Sequence, residues 1–253
     1  MIRIFNKFKI NFMVVGAQKA GTSALDYYLR QHPTIKMGLK KELHFFDNDL
    51  HFKKRNVDYS PLKKYYPERD NKYIYGEVTP SYVFWKGAME RIKKYNKKMM
   101  LIAILRNPID RAFSSWNMEV KRGNEHRSFR QSIDEEINDI LKGNKKNSLL
   151  GTYVSRGLYF EQITNMKKLF PQNQILFIRY EDYMVNQKTV LRDVFSFLKV
   201  KEYQNNIELK SVHKINYDNE MTGEERKILI DFYKEDISRV ENKLNWDCSD
   251  WYM

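Results

Sequence analysis

The sequence predicts an α/β domain built on a central parallel sheet flanked by helices. Three observations predict it. Short apolar runs of strand length alternate with longer segments whose apolar residues recur at helical spacing. The first run ends in a glycine-bounded turn, and the strongest run ends in an arginine shortly before a proline. Both turns fall at the carboxyl ends of predicted strands, where open parallel sheets bind their ligands.

Each element follows from its residues. FMVVG (12–16) is a short, β-branched run and reads as a buried strand. Residues 22–31 carry Ala24, Leu25, Tyr28 and Leu29 at helical spacing, and Pro33 ends that helix. KYIYGEVTP (72–80) is a second strand, and the unbroken apolar run in KMMLIAILRN (98–107) is the strongest. A helix begins near Pro108, a residue suited to a first helical turn. Ser128 and Gln131 form a capping box for a helix carrying Phe129, Ile133, Ile137 and Leu141. Leu158 to Phe170 is an amphipathic helix closed by Pro171, and QILFIRY (174–180) is a strand. Val190, Leu191, Val194, Phe195 and Leu198 mark the next helix, and Thr222 with Glu225 caps a last one through Leu244.

The composition sets the outer limits. With 253 residues and 42% apolar content, residues 1–253 suffice for one large domain and do not read as disordered. No apolar run approaches the ~20 residues of a membrane span. The opening MIRIFNKFKINFMVVG is too interrupted by Lys and Asn for a signal-peptide core. Cys248 is the only cysteine, which excludes an internal disulfide. The expectation is a cytoplasmic protein without a membrane span, its oligomeric state not legible. The net charge of +13 is spread over lysine doublets such as Lys40-Lys41 and Lys97-Lys98, and it favours anionic ligands.

Gly16 and Gly21 have the Gly-x4-Gly spacing of a nucleotide P-loop, which would continue Lys-Ser or Lys-Thr. Here the next residues are Thr22 and Ser23, and the lysine is Lys19, inside the loop. Backbone N–H groups between a strand end and a helix start cradle anions, and the two hydroxyls add donors. An ordinary strand-to-helix turn has the same spacing, so the loop alone decides nothing. A kinase also needs a carboxylate for Mg²⁺ at the end of a second apolar strand. This chain has Arg106 there, which repels a metal and attracts a phosphate. Arg106 and Ser114, eight residues apart, can share one phosphate group; a helix cap or surface ion pair is the plain alternative for Arg106. The pattern predicts a nucleotide held without Mg²⁺ and carrying a second phosphate. Two other readings stand beside it. A P-loop kinase of a small metabolite lacks its lysine after Gly21. A non-catalytic module for nucleic acid or another polyanion leaves unexplained why the loop and Arg106 share strand ends.

At these residues the chain resembles the PAPS-dependent sulfotransferases, in the carbohydrate branch that includes heparan sulfate sulfotransferases and bacterial relatives. GAQKAGTSAL (16–25) is similar to that family's 5′-phosphosulfate loop, and LRNPIDRAFSSW (105–116) to its 3′-phosphate motif, matching at Arg106, Pro108, Arg111 and Ser114. KELHFFD (41–47) resembles the segment with the family's catalytic glutamate, and GEVTPSY (76–82) its Glu-x-Thr-Pro-x-Tyr stretch. The similarity runs through RGLYFEQI and RYEDY to the closing NWDCSDW.

The resemblance implies a P-loop nucleotide-kinase-like domain and a metal-independent, in-line displacement. The donor is 3′-phosphoadenosine 5′-phosphosulfate (PAPS), and PAP is the product. Gly16, Gln18, Lys19, Ala20, Gly21, Thr22 and Ser23 would hold the 5′ end. Arg106 and Ser114 would hold the 3′-phosphate, and Lys214 would add a contact from a region (210–223) that lacks the family's glycine-containing basic loop. Lys19 would sit beside the bridging oxygen, which gains charge as the sulfuryl group leaves. Glu42 is the candidate general base, with His44 as rival base or orienting group. Glu77, Tyr82 and Arg156 would line the acceptor cleft or serve as framework, and Asp47 has the same ambiguity. The implied acceptor is a carbohydrate-type hydroxyl or amine, anionic glycans included, and not nucleic acid.

Overall fold

The structure is a computed structural model and describes residues 8–144, 146–203, 207–208 and 219–253. Five parallel strands form one sheet: β1 (Phe12–Gly16), β2 (Ile35–Met37), β3 (Ile74–Val78), β4 (Met100–Leu105) and β5 (Ile175–Arg179). Their spatial order is β2-β3-β1-β4-β5. β1 therefore lies in the middle, paired with β3 on one side and β4 on the other. After β1 the chain builds one half of the sheet, then crosses back to build the other. The crevice between β1 and β4 is thus the topological switch point, where such sheets bind ligands.

The predicted helices form as α1 (Thr22–Arg30), α3 (Pro108–Lys121), α4 (Phe129–Leu141), α5 (Tyr159–Leu169), α7 (Gln187–Phe197) and α8 (Gly223–Leu244). Both capping boxes are present, at Ser128 with Gln131 and at Thr222 with Glu225. Two helices go beyond the sequence expectation, α2 (Ala88–Tyr95) and α6 (Tyr180–Val185), as does the short strand β2. Leu141 departs from the core role expected of it: at the last position of α4 it is 74% exposed. α5 and α8 pack against each other, with α2, α3 and α4 joining that layer, whereas α6 packs on α7.

Every residue of β1 is buried, and the inner residues of β4 are fully buried, as strands covered on both faces require. Gly76 on β3 pairs with Phe12 on β1. A Cβ there would stand 2.1 Å from the Phe12 ring, so glycine is what lets this phenylalanine lie flat across the neighbouring strand. Overpacking of this kind typically costs about 1–3 kcal/mol.

Candidate active site

The loop after β1 turns at Gly21, which adopts φ +81° and begins α1 without any side-chain cap. Ala17 N–H donates to Ile104 O on β4 (2.7 Å), and Ala20 N–H donates to Ala17 O (3.2 Å). The N–H groups of Gln18, Lys19, Gly21, Thr22 and Ser23 have no acceptor among the described residues. Helix N-termini satisfy such donors with caps, water or ligands. Unpartnered donors at the positive end of a helix dipole favour an anion such as a phosphate.

Lys19, also at positive φ (70°), lies within this loop. Its ammonium is held below its ordinary pKa, first by burial, then by the positive charges of Arg106, Arg122 and Lys41, against the opposing charge of Glu119. A cation already crowded by cations gains strongly when a polyanion arrives.

Arg106 follows β4 and reaches over the crevice, its Nη1 donating to Lys19 O (3.1 Å). Its guanidinium lies on the ring of Tyr180, 4.8 Å from the centroid. The same ring limits the space at Gly21, where a Cβ would come within 3.2 Å of it. Tyr180 thus backs both cationic elements, a role that sequence reasoning missed. The signal was its position just past the fifth strand. Asn107 caps α3 by accepting from Ile109 N–H (2.9 Å), and Tyr159 Oη donates to Arg106 O (2.9 Å). These bonds fix the backbone from which Arg106 projects. Ser114 lies farther along α3 and is 1% exposed. Lys214 lies outside the described residues.

The segment after β2 brings a second charged cluster beside the loop. Glu42 and His44 both adopt positive φ, 59° and 51°. Glu42 N–H donates to Val78 O at the end of β3 (2.9 Å). The carboxylate accepts from Lys41 Nζ at Oε1 (2.8 Å), while Oε2 lies 3.6 Å from His44 Nε2, a charge contact longer than a hydrogen bond. His44 Nδ1 donates to Asp47 Oδ2 (2.7 Å), an oxygen that also accepts from Ser81 Oγ. Asp47, followed by Glu42, raises the imidazole to about 9. His44 and then Lys41 lower Glu42 to about 2, against the opposing effect of burial. At neutral pH Glu42 is therefore a carboxylate and His44 an imidazolium.

Glu77 and Tyr82, expected to line the acceptor cleft or to serve as framework, are closed off at 1% and 0% exposure, which fits the framework role. Glu77 Oε1 accepts from Tyr82 Oη (3.0 Å) and from Thr79 Oγ1. Tyr82 Oη in turn accepts from Phe45 N–H (3.0 Å). The pair forms the floor beneath the turn that carries Glu42 and His44. Burial, the largest effect, pushes the Glu77 carboxyl up to about 7, with Asp47 adding to it.

For Arg156 the surroundings fit the framework alternative. It is 4% exposed and packs over Phe84, 5.3 Å from the ring centroid. Its Nε donates to Thr152 Oγ1 (2.9 Å), Nη2 to Ser148 O (3.1 Å) and Nη1 to Gln18 Oε1. Gln18 Oε1 also accepts from Ser115 Oγ (3.4 Å). Arginine only donates, so the carboxamide orientation is fixed, with Nε2 left to face other partners. No sequence signal links Arg156 to a residue 138 positions away.

Comparison with known proteins gives a consistent result. The sulfotransferase domain family matches residues 9–239. Membrane-associated sulfotransferase kil1 of Dictyostelium discoideum is 25% identical over 313 residues, covering 94% of this chain and 65% of that protein. Heparan sulfate glucosamine 3-O-sulfotransferase 3B1 of Mus musculus is 30% identical over 192 residues, covering 75% of this chain and 46% of that protein. The chain thus spans 65% and 46% of the lengths of these two relatives. Among solved structures, a sulfotransferase from Alicyclobacillus acidocaldarius superposes with a TM-score of 0.80 at 29% identity, covering 97% of this chain and 100% of that one. Among the described residues no helix is long and apolar enough to cross a membrane.

Proposed function

This chain belongs to the sulfotransferase domain family, and from that membership we propose that it transfers the sulfuryl group of PAPS to a hydroxyl or amine of a carbohydrate-type acceptor. The observation that carries this reading is the meeting of Lys19 and Arg106 across the β1–β4 crevice, beside five unpartnered loop N–H groups. The 5′-phosphosulfate takes the loop donors of Gln18–Ser23, and Arg106 with Ser114 takes the 3′-phosphate. Two separate cationic grips match a nucleotide with two separate anionic ends, which a kinase donor lacks.

In the proposed reaction the acceptor atom attacks sulfur and forms the new O–S or N–S bond. The bond between sulfur and the bridging oxygen breaks, and its electrons leave on the 5′-phosphate of PAP. Lys19 stabilises that developing charge. The acceptor's proton goes to Glu42. His44 is the weaker candidate for resting base, because Asp47 and Glu42 raise it to about 9 and favour protons on both nitrogens at neutral pH. It instead orients Glu42 and keeps it ionised. A carboxylate near pKa 2 is a weak base, so it takes the proton only once the attacking atom has become acidic by bonding to sulfur.

The carbohydrate acceptor rests on the similarity to heparan sulfate glucosamine 3-O-sulfotransferases and on the net charge of +13, which suits acidic glycans. A cytoplasmic location belongs to the same proposal, supported by a single cysteine, Cys248, that is buried and free. Calorimetric titration with PAP in EDTA, followed by sulfur-labelled PAPS with a panel of glycans, tests the reading. Tight PAP binding without Mg²⁺ and label transfer to a glycan are expected; ATP binding that requires Mg²⁺, with none for PAP, would overturn it.

A further inference from the structure

Lys41 touches both clusters. Its Nζ lies 2.8 Å from Ser23 Oγ, in the first turn of α1, and 2.8 Å from Glu42 Oε1. Ser23 is exposed at the mouth of the loop, and its backbone N–H has no acceptor among the described residues. Because Ser23 Oγ accepts from Lys41, its own hydroxyl hydrogen remains available to an anion in the loop. Lys41 thus holds a single positive charge between the proposed base and the proposed donor site. Its charge is also felt at Lys19.

We propose that Lys41 couples donor binding to activation of the base. This inference rests on the PAPS reading. In the free protein Lys41 neutralises Glu42 Oε1. A phosphosulfate in the loop competes for the same ammonium, and with several negative charges against one it wins. Lys41 then swings from Glu42 to the donor, and Oε1 is released to accept the proton of the acceptor. Glu42 becomes a competent base only when sulfur is present to be transferred. Lys41 is in this sense a positioning residue for Glu42 and a ligand of the donor.

Such coupling is reciprocal: if the donor draws Lys41 away from Glu42, removing the charge of Glu42 tightens donor binding through Lys41. PAP carries the 5′-phosphate and is the probe, measured by calorimetry without any acceptor. Relative to wild type, Lys41→Met weakens PAP binding about tenfold, the size of one charge-assisted hydrogen bond. Glu42→Gln tightens it about 3- to 10-fold. In the Lys41→Met background the effect of Glu42→Gln shrinks to less than about twofold, and in Lys41→Arg, which keeps a mobile cation, it returns. Both side chains are partly exposed, so the variants retain the fold, which thermal melts verify. Plain repulsion between Glu42 and the nucleotide gives the opposite pattern, an effect as large or larger without Lys41. That result, with wild type binding PAP, overturns the coupling alone. A wild-type protein that binds no PAP overturns the donor reading and the coupling together.

Discussion

Arg106 Nη1 and Lys19 O lie 3.1 Å apart, joined by a hydrogen bond that spans the ends of two neighbouring strands. The contact places the arginine's charge directly over the loop that holds the lysine. Neither side chain has a carboxylate partner among the described ion pairs, so both charges remain available to a ligand. Lys19 is held below its ordinary pKa by burial and then by Arg106 itself.

Arg106→Ala is expected to weaken PAP binding by roughly 10- to 100-fold, the loss of about 2 kcal/mol from a charge-assisted contact. Binding of AMP, which lacks the 3′-phosphate, should change little. Calorimetry on both nucleotides reads the difference. An unchanged preference for PAP over AMP removes Arg106 from the 3′ site.

Lys19→Ala is expected to lower kcat by about 10²-fold or more, as loss of a transition-state charge donor does. Single-turnover kinetics with labelled PAPS measure the chemical step itself. A full-speed chemical step in this variant would show that the leaving oxygen is stabilised elsewhere.

Arg156→Met keeps most of the side chain's bulk and removes every donor. Gln18 Oε1, Ser148 O and Thr152 Oγ1 then lose a partner at once. Stability should fall by about 2–4 kcal/mol, because stranded buried acceptors cost about 1–3 kcal/mol each and some reach water. Amide exchange should speed up around residues 148–152 while the strands stay protected. Unaltered exchange in that segment would rule out the brace.

Glu77 has a folded-state pKa near 7, above its ordinary 4.5, because burial penalises its charge. Its contribution to stability is fully present below about pH 4.5 and is lost as pH rises through 7. Glu77→Gln mimics the protonated form, so the melting temperature of the variant relative to wild type should climb between pH 5 and pH 8. His44, raised to about 9, titrates in both proteins and cancels in the difference. Calorimetric scans across that range check it, and a flat difference would mean Glu77 stays in one protonation state.

Much of this fold was legible because its strands are buried on both faces and read as continuous apolar runs, FMVVG and MMLIAIL above all. The cap residues Ser128 and Thr222 were legible because capping is local chemistry. β2, only Ile35–Met37, is too short to show a period, and α2 is obscured by its lysines. At the site, Gly21 announced its left-handed turn, but Lys19, Glu42 and His44 also adopt positive φ, which their residue types do not signal. Glu77 stayed undecided between cleft and framework for the same physical reason that made β3 visible. A strand covered on both sides offers its acidic residue no open face, and a period-2 pattern cannot reveal that.

The position of β1 between β3 and β4 has a consequence for how this protein can change over time. In the proposed reading the nucleotide is gripped from the β1 and β4 ends, whereas the turn bearing Glu42 hangs from β3 and the turn after it through Val78, Glu77 and Tyr82. One side of the middle strand can therefore diversify while the other is kept. Substitutions on the β3 side would retune which molecule is modified, and the currency of the reaction would stay the same.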